Sequence, residues 1–397
     1  MADAVLVLNC GSSSIKYQLI DGTGTVLARG LAERIGEDSG HLTHTGPDGD
    51  VERSEPIADH ESGLRAILSA FDESGPPLDG DRLVAVGHRV VHGGDRFADP
   101  VLIDDEVMDT IRELIPLAPL HNPANLTGIE VARKIFATVP HVAVFDTAFH
   151  QTMPAHAYTY AVPRQWQHDY GVRRYGFHGT SVAYVVGEAA RLLGRPAGDT
   201  NLIVAHLGNG ASITAVTGGR SVDTSMGLTP LEGLVMGTRS GDLDPAIVGH
   251  LGRLAGIGAE LVDEALNRKS GLLALAGAND MREVHRKAAA GDDGASLALG
   301  VYCYRLRKYI GAYYAVLGRV DAIVFTAGVG ENDADVRARS LAGLERLGLE
   351  VDPARNTASD GGARFISPDG TDVAVLVIPT NEELEIAREA RAIALPR

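Results

Sequence analysis

The sequence predicts an α/β fold in which one strand–loop–hairpin unit occurs twice. Three observations carry this. Val5–Leu8 is a four-residue apolar run, suited to a short buried strand, that opens directly into Asn9-Cys10-Gly11-Ser12-Ser13-Ser14-Ile15-Lys16. A cousin appears later: Asn201–Ala205 reads as a strand leading into His206-Leu207-Gly208-Asn209-Gly210-Ala211-Ser212. An offset of 197 brings Gly11 onto Gly208 and Gly22 onto Gly219, so loop and hairpin turn coincide. With 47 glycines in the chain, two matched glycines alone mean little; the matched order of strand, loop, strand, turn, strand argues for duplication.

The elements follow in order. Residues 5–8, 17–20 and 25–28 make a strand and a hairpin turned by Asp21-Gly22-Thr23-Gly24. Residues 36–60 are polar and rich in Gly and Asp, as a hairpin and loops would be. Glu61–Ser74 is expected to be helical, with Leu64, Ile67, Leu68 and Phe71 on one stripe. Leu83–Val86 reads as a strand ending in Gly87-His88-Arg89-Val90-Val91-His92-Gly93-Gly94. A helix over Asp104–Ile115, a stiff loop at Pro116–Pro123 and a helix over Asn125–Phe136 come next. His141–Phe145 is a strand broken at Asp146-Thr147.

In the second half, Ser212–Val216 returns from the glycine loop and turns at Thr217-Gly218-Gly219-Arg220. Residues 226–245 are Gly-rich and irregular, yet hold Leu228, Leu231, Leu234 and Val235. A long irregular stretch with apolar anchors marks function rather than disorder. Helices are expected near 246–255, 258–267, 281–290 and 294–317. Asp321–Thr326 is a strand ending in Ala327-Gly328-Val329-Gly330-Glu331-Asn332, with a helix to about Leu347. Val373–Ile378 is the last strand, and Pro379-Thr380-Asn381-Glu382-Glu383 leads into a last helix, Leu384–Ile393.

At 397 residues the chain is about two domains long. Its formal net charge is −16, from 52 acids against 36 bases. A nucleic-acid binder would be basic, so no nucleic-acid partner is expected. An anion site on such a surface needs a local cluster of bases. Lysine occurs only at 16, 134, 269, 287 and 308, which singles out Lys16 in the first loop. Cys10 and Cys303 are the only cysteines, too few for a disulfide framework or zinc spacing. No apolar run approaches the roughly 18 residues of a membrane span, and the N-terminus lacks a basic signal region. The expectation is a cytoplasmic protein with no membrane partner.

Neither G-x-x-x-x-G-K-[ST] nor G-x-G-x-x-G follows the first strand. Instead three strand-to-glycine turns stand out, at Gly11, at Gly208-Asn209-Gly210 and at Gly328-Val329-Gly330. Each alone is as readily a plain tight turn. Together, two of them within a repeat, they favour a nucleotide cleft between two like domains. Arg89 sits among glycines and histidines, and its planar fork suits a carboxylate. His178 lies in Tyr175-Gly176-Phe177-His178-Gly179-Thr180-Ser181 at an apparent helix start. Arg239 lies in the Gly-rich stretch. The three would supply a positive field around an anion. Asn9, Asp146 and Glu382 are oxygen donors at expected strand ends, suited to a hard cation.

These segments resemble the acetate kinase family. The likeness runs the length of the chain: Asn9–Lys16, Gly87–Gly94, Pro119–Pro123, Phe145–His150, Tyr175–Gly179, His206–Gly210, Gly237–Asp242, Gly328–Asn332 and Thr380–Leu384, in family order. It implies the duplicated RNase H-like fold of actin and sugar kinases, with an active-site cleft between the two domains. The first domain would be residues 1–149 plus 382–397, since Glu382 must reach the same metal as Asn9; the second would be residues 150–381. It implies catalytic Asp146, His178 and Arg239, the acyl substrate at Arg89, and a methyl pocket of Val91, Leu120, Phe177 and Pro230. ATP contacts would fall on Ser12, Lys16, His206, Leu207, Gly208, Asn209, Gly210, Asp280, Met281, Arg282, Gly328, Val329, Gly330, Glu331 and Asn332. Asn9 and Glu382 would hold Mg²⁺, with Mn²⁺ able to substitute. Met281 departs from the family's frequent phenylalanine, but still covers a purine face.

The implied reaction is reversible transfer of the ATP γ-phosphoryl to acetate, giving acetyl phosphate and ADP, in a homodimer. Acetate is already ionised at pH 7, with a pKa of about 4–5 by analogy with Asp and Glu, so Asp146 is expected to orient groups rather than move a proton. Propionate or butyrate is the nearest alternative substrate. A hydroxyl-directed kinase of this fold would have no use for Arg89. A nucleotide-gated chaperone would need a peptide-binding domain, for which the single helix before Arg397 leaves no room.

Overall fold

The computed structural model describes residues 3–78, 82–358 and 361–395. The chain divides into two compact units, Met1–Phe149 with Asn381–Arg397, and His150–Thr380. Asn381 goes with the last helix because its side chain caps it, accepting the Leu384 N–H at 3.0 Å.

The first unit holds β1 (Ala4–Cys10), β2 (Ser14–Asp21), β3 (Val26–Glu33), β4 (His41–Gly46), β5 (Gly49–Ser54), β6 (Leu83–Val90), β7 (Val101–Leu102) and β8 (His141–Phe145). Their order is β5-β4-β3-β2-β1-β6-β8-β7. β1, β6 and β8 are parallel; β2 runs antiparallel to β1. Successive side chains point to opposite faces. Leu6, Leu8 and Cys10 of β1 therefore meet one cluster, with Leu64, Ile67 and Phe71 of helix His60–Ser74 and Ala132 of helix Asn122–Ile135. Val5 and Val7 meet the other, with Ile386, Ala387 and Ala390 of helix Glu382–Ala394. Burial on both faces is why β1 reads as unbroken apolar sequence.

The second unit holds β9 (Asn201–Leu207), β10 (Ala211–Thr217), β11 (Arg220–Thr224), β12 (Ala322–Thr326), β13 (Arg364–Phe365) and β14 (Ala374–Val377), in the order β11-β10-β9-β12-β14-β13. Strand for strand this repeats β3-β2-β1-β6-β8-β7, with the same senses. The 197-residue offset carries Ala4–Cys10 onto Asn201–Leu207 and Ser14 onto Ala211. The fold is a duplicated two-domain α/β architecture of the RNase H-like kind.

Several expectations change. β6 continues to Val90, so Gly87, His88 and Arg89 lie inside the strand. Residues 327–332 form a short helix rather than a glycine turn. Positive φ there falls on Ala327, at 64°, and on none of Gly11, Gly208, Gly210, Gly328 or Gly330. Gly11, Gly208 and Gly330 instead allow close approach, since a Cβ there would meet a neighbouring atom at 3.1, 3.2 and 3.3 Å. Glu382 belongs to the first turn of a helix, not to a strand end. Residues 226–245 hold no helix or strand, and the six-residue helix Gly271–Ala276 follows them unforeseen. No helix among the described residues is long and apolar enough to cross a membrane.

Candidate active site

The first unit gathers its polar groups where three parallel strands end. Asn9 is the penultimate residue of β1, Arg89 the penultimate residue of β6, and Asp146 follows β8 directly. The Asp146 N–H donates to Val90 O at 3.0 Å, fixing the turn. Arg89 Nε donates to both Asp146 carboxylate oxygens at 3.1 Å, and its Nη2 also bonds Asp146 Oδ2. Arg89 Nη1 donates to Asn9 Oδ1 at 3.3 Å, and Glu382 Oε2 lies 4.0 Å from Arg89 Nε. Burial works against the Arg89 charge, but the carboxylates of Asp146 and Glu382 outweigh it and hold the guanidinium pKa above its ordinary value. Burial pushes the Glu382 carboxyl up to about 7; Arg89 opposes the rise, while Asp146 and Glu383 add to it.

The adjoining residues divide. Lys16, on β2, is paired with Glu383, and Ser12 is exposed in the β1–β2 turn. Val91 is buried, its N–H held by Asn125 Oδ1 at 3.0 Å. Asn125 Nδ2 donates to Cys10 O at 2.8 Å, so one buried amide ties the ends of β1 and β6 together. Leu120 is 64% exposed, less sheltered than a methyl-pocket residue was expected to be.

The second unit sets a different constellation around the β9–β10 turn. His178 precedes helix Gly179–Leu193 with φ of 59°, in the left-handed region that side chains seldom adopt. Its ring stacks on His206, centroids 4.1 Å apart, and its Nδ1 lies 2.9 Å from Ser212 Oγ. His206 Nδ1 lies 2.8 Å from Ser181 Oγ. Arg239 Nη1 donates to Pro230 O at 3.3 Å. A Cβ at Gly210 would sit 3.4 Å from Arg239 Nη1 and 3.5 Å from His178 Nε2, so both side chains converge on that glycine. Burial lowers the Arg239 pKa. Phe177 is buried one residue before His178.

A cavity of about 780 Å³ opens beside this turn. Of the expected ATP residues, Gly208, Asn209, Asp280, Met281, Arg282, Gly328, Val329 and Asn332 line it. His206, Leu207, Gly210, Gly330 and Glu331 do not. Leu207 is wholly buried, and a Cβ on Gly330 would already meet Phe325 backbone at 3.3 Å. Glu331 Oε1 instead accepts the Thr380 N–H at 3.1 Å. Asp280 caps helix Met281–Ala289 and is held down to about 2 by hydrogen bonds from Arg282. Gly237, Leu272, Asn279, His285, Tyr302 and Asp333 also line the cavity, unforeseen from the sequence. For His285 a signal existed, since it stands four residues after Met281, one helical turn on.

A model of the Acetokinase family matches residues 4–388. The chain belongs to the acetokinase family. An acetate kinase of Clavibacter michiganensis is 60% identical over 389 residues, 98% of each chain. Among solved structures, the acetate kinase of Porphyromonas gingivalis is 44% identical with a TM-score of 0.95, covering 99% of this chain and 100% of that one. A propionate kinase from Francisella tularensis is 43% identical with a TM-score of 0.92, covering 98% and 100%. As an acetokinase, the chain is a kinase, a phosphoryl-transferring enzyme that uses ATP and ADP.

The donor set in the first unit suits a divalent cation of the Mg²⁺ type. Asp146 already engages Arg89 with both oxygens, which leaves Glu382 with its nearest guanidinium nitrogen at 4.0 Å. An added cation beside Asn9 Oδ1 and Glu382 would offset that excess of negative charge. Among the described residues no group of three or more His, Cys, Asp or Glu forms a cage. Mg²⁺ needs only one or two protein oxygens, the rest of its shell being water and substrate phosphates, and Asn9 and Glu382 are the residues that would hold it.

Proposed function

We infer that this chain is an acetate kinase, moving the γ-phosphoryl of ATP to acetate to give acetyl phosphate and ADP, and the reverse. The observation that carries the reading is the Arg89 fork among oxygen donors at the strand ends. A carboxylate acceptor is bound by such a fork, whereas an alcohol acceptor has no need of it. In the transfer, an acetate oxygen forms a bond to the γ-phosphorus as the bond from that phosphorus to the β-γ bridging oxygen breaks. ADP leaves with the electron pair. No proton moves, so no general base is required.

Asp146 positions Arg89 through the Nε–Nη2 edge, and the Nη1 donor that Asn9 Oδ1 now holds is the one an incoming carboxylate would take over. Val91, Leu120, Phe177 and Pro230 are proposed to shelter the methyl group. His178 and Arg239 donate to the phosphoryl oxygens as charge spreads over them. Each such contact is worth about 3 kcal/mol of barrier, on the scale of an oxyanion-hole donor. Asn9 and Glu382 would hold Mg²⁺, with Mn²⁺ an acceptable substitute, and it would supply charge neutralisation at the phosphates when bound. The cavity residues, with Lys16 and Ser12, would hold the nucleotide.

Trapping acyl phosphate with hydroxylamine tests the reading, with acetate, propionate, butyrate and glycerol compared. Acyl hydroxamate is expected with acetate above the other acids. No hydroxamate from any acid would sink it. A second reading, propionate as the preferred acid, draws on the likeness to the Francisella propionate kinase. One methylene is worth only about 1–3 kcal/mol, so both acids should react and their kcat/KM ratio decides.

We also propose a cytoplasmic homodimer formed through the second unit. Helix Ala246–Ala255 has no buried residue although Ile247, Val248, Leu251 and Leu254 are apolar, and Leu261 nearby is 60% exposed. A second copy would cover that face. Leu254→Asp should shift light-scattering mass to the monomer; an unchanged mass would exclude this face.

A further inference from the structure

The irregular stretch 226–242 is pinned by a part-buried polar clamp that has no assigned role. Arg174 Nη1 donates to three successive carbonyls, Thr224 O, Ser225 O and Met226 O, at 2.9, 3.0 and 3.0 Å. Its Nη2 donates to Glu232 Oε1 at 2.5 Å. The other Glu232 oxygen accepts from the Tyr160 hydroxyl, and that hydroxyl accepts the Leu228 N–H at 3.0 Å. At the far end, Asp242 Oδ1 accepts the Gly233 N–H at 2.8 Å and Oδ2 the Tyr309 hydroxyl at 2.7 Å.

Space is made for the clamp by glycine. A Cβ at Gly227 would lie 1.9 Å from Glu232 Oε2 and 2.1 Å from Tyr160 Oη, so only glycine lets the two approach the backbone. The Gly227 carbonyl accepts the N–H groups of Tyr175 and Gly176, at 3.1 and 3.3 Å. The clamp thereby joins two segments. One carries Phe177 and His178; the other carries Pro230 and Arg239, whose Nη1 bonds Pro230 O.

We propose that Glu232, through Arg174 and Tyr160, is the positioning residue that sets Arg239 and Pro230 against His178 for phosphoryl transfer. It touches no substrate. A chain of charge-assisted hydrogen bonds to consecutive carbonyls fixes a loop more narrowly than apolar packing does. Transfer between two anions tolerates little misplacement of the cation that shields them.

The inference rests on the proposed kinase activity, and the test separates the two. Wild-type enzyme is first assayed for acetyl hydroxamate; no product there defeats the activity, not the clamp. Glu232→Gln, which keeps the shape but leaves one donor of the Arg174–Tyr160 pair unmatched, is then combined with Arg239→Lys in a double-mutant cycle. Glu232→Gln should lower kcat between about ten- and a hundredfold while KM for ATP stays within about twofold. In the Arg239→Lys background the same change should cost little, since the residue it positions is already altered. Tyr160→Phe, which removes one hydroxyl, runs through the same cycle and stands in if Glu232→Gln does not fold. Losses that multiply across the cycle, or a KM for ATP that rises as kcat falls, would overturn the proposal.

Discussion

Asp146 holds Arg89 by both carboxylate oxygens, each receiving the Arg89 Nε–H at 3.1 Å. The pair joins the ends of neighbouring parallel strands and turns the guanidinium so that Nη1 meets Asn9. Asp146→Asn keeps the size but gives up the charge that orients Arg89. Its kcat/KM for acetate should fall about 10²–10³-fold. Steady-state kinetics across pH tests the cause. If Asp146 only positions Arg89, an acid limb persists in the variant, displaced at most to lower pH because the Asp146 charge helps to raise the Glu382 carboxyl. A limb that disappears with Asp146 would show that it moves a proton.

Gly210 stands between Arg239 and His178, and its φ is not positive, so alanine fits the backbone. The added methyl would touch Arg239 Nη1 at 3.4 Å and His178 Nε2 at 3.5 Å, ordinary contact distances, but would occupy the space where the two converge. Gly210→Ala should leave the melting temperature within about 2 °C, a shift of at most about 1 kcal/mol for a unit of this size. It should also reduce kcat at least tenfold. Calorimetry and turnover on one preparation would show it. Unaltered turnover would mean that this space takes no part in transfer.

The repeat was legible because β1 and β9 are buried on both faces, which forces unbroken apolar runs whose offset then maps one unit onto the other. Arg89 and Asp146 were legible as polar residues interrupting such runs. The exact bound of β6 was not, because Gly87 and His88 read as a loop while His88 is in fact buried against His141 at 2.9 Å. The nucleotide cavity was half legible. Gly208 and Asp280 announce themselves by type, whereas Tyr302 and Leu272 look like core residues of helices until tertiary packing turns them to a cavity. The clamp on 226–242 left its mark only as glycines, since Arg174, Tyr160 and Glu232 lie far apart in sequence.

Ala327 offers a test of stored strain. Its φ of 64° costs an L-residue about 1–2 kcal/mol, and it precedes the Gly328–Asn332 stretch of the cavity wall. Ala327→Gly should raise stability by about 0.5–1 kcal/mol after the extra unfolded-state entropy of glycine is counted. Urea denaturation measures it. A loss of stability would mean that the buried methyl packs more favourably than the backbone is strained.

Glu389 sits on the last helix, where burial, then the like charges of Glu385 and Asp99, push its carboxyl up to about 8. An acid raised above its unfolded value keeps a proton that the unfolded chain has released. Stability then falls as pH rises from the unfolded value toward 8, by at most about 1.4 kcal/mol per unit. The buried histidines act the other way at lower pH: burial pushes His92 and His141 down to about 4, so their contribution grows as pH rises to about 6.5 and is flat above it. The window from pH 6.5 to 8 therefore isolates the carboxyls. Glu389→Gln cannot ionise, so the difference in unfolding free energy between variant and wild type should widen in favour of the variant across that window. Denaturation at pH 6.5, 7.25 and 8 measures it, with the other titrating groups cancelling in the difference. A gap that stays constant would show that Glu389 is ionised throughout.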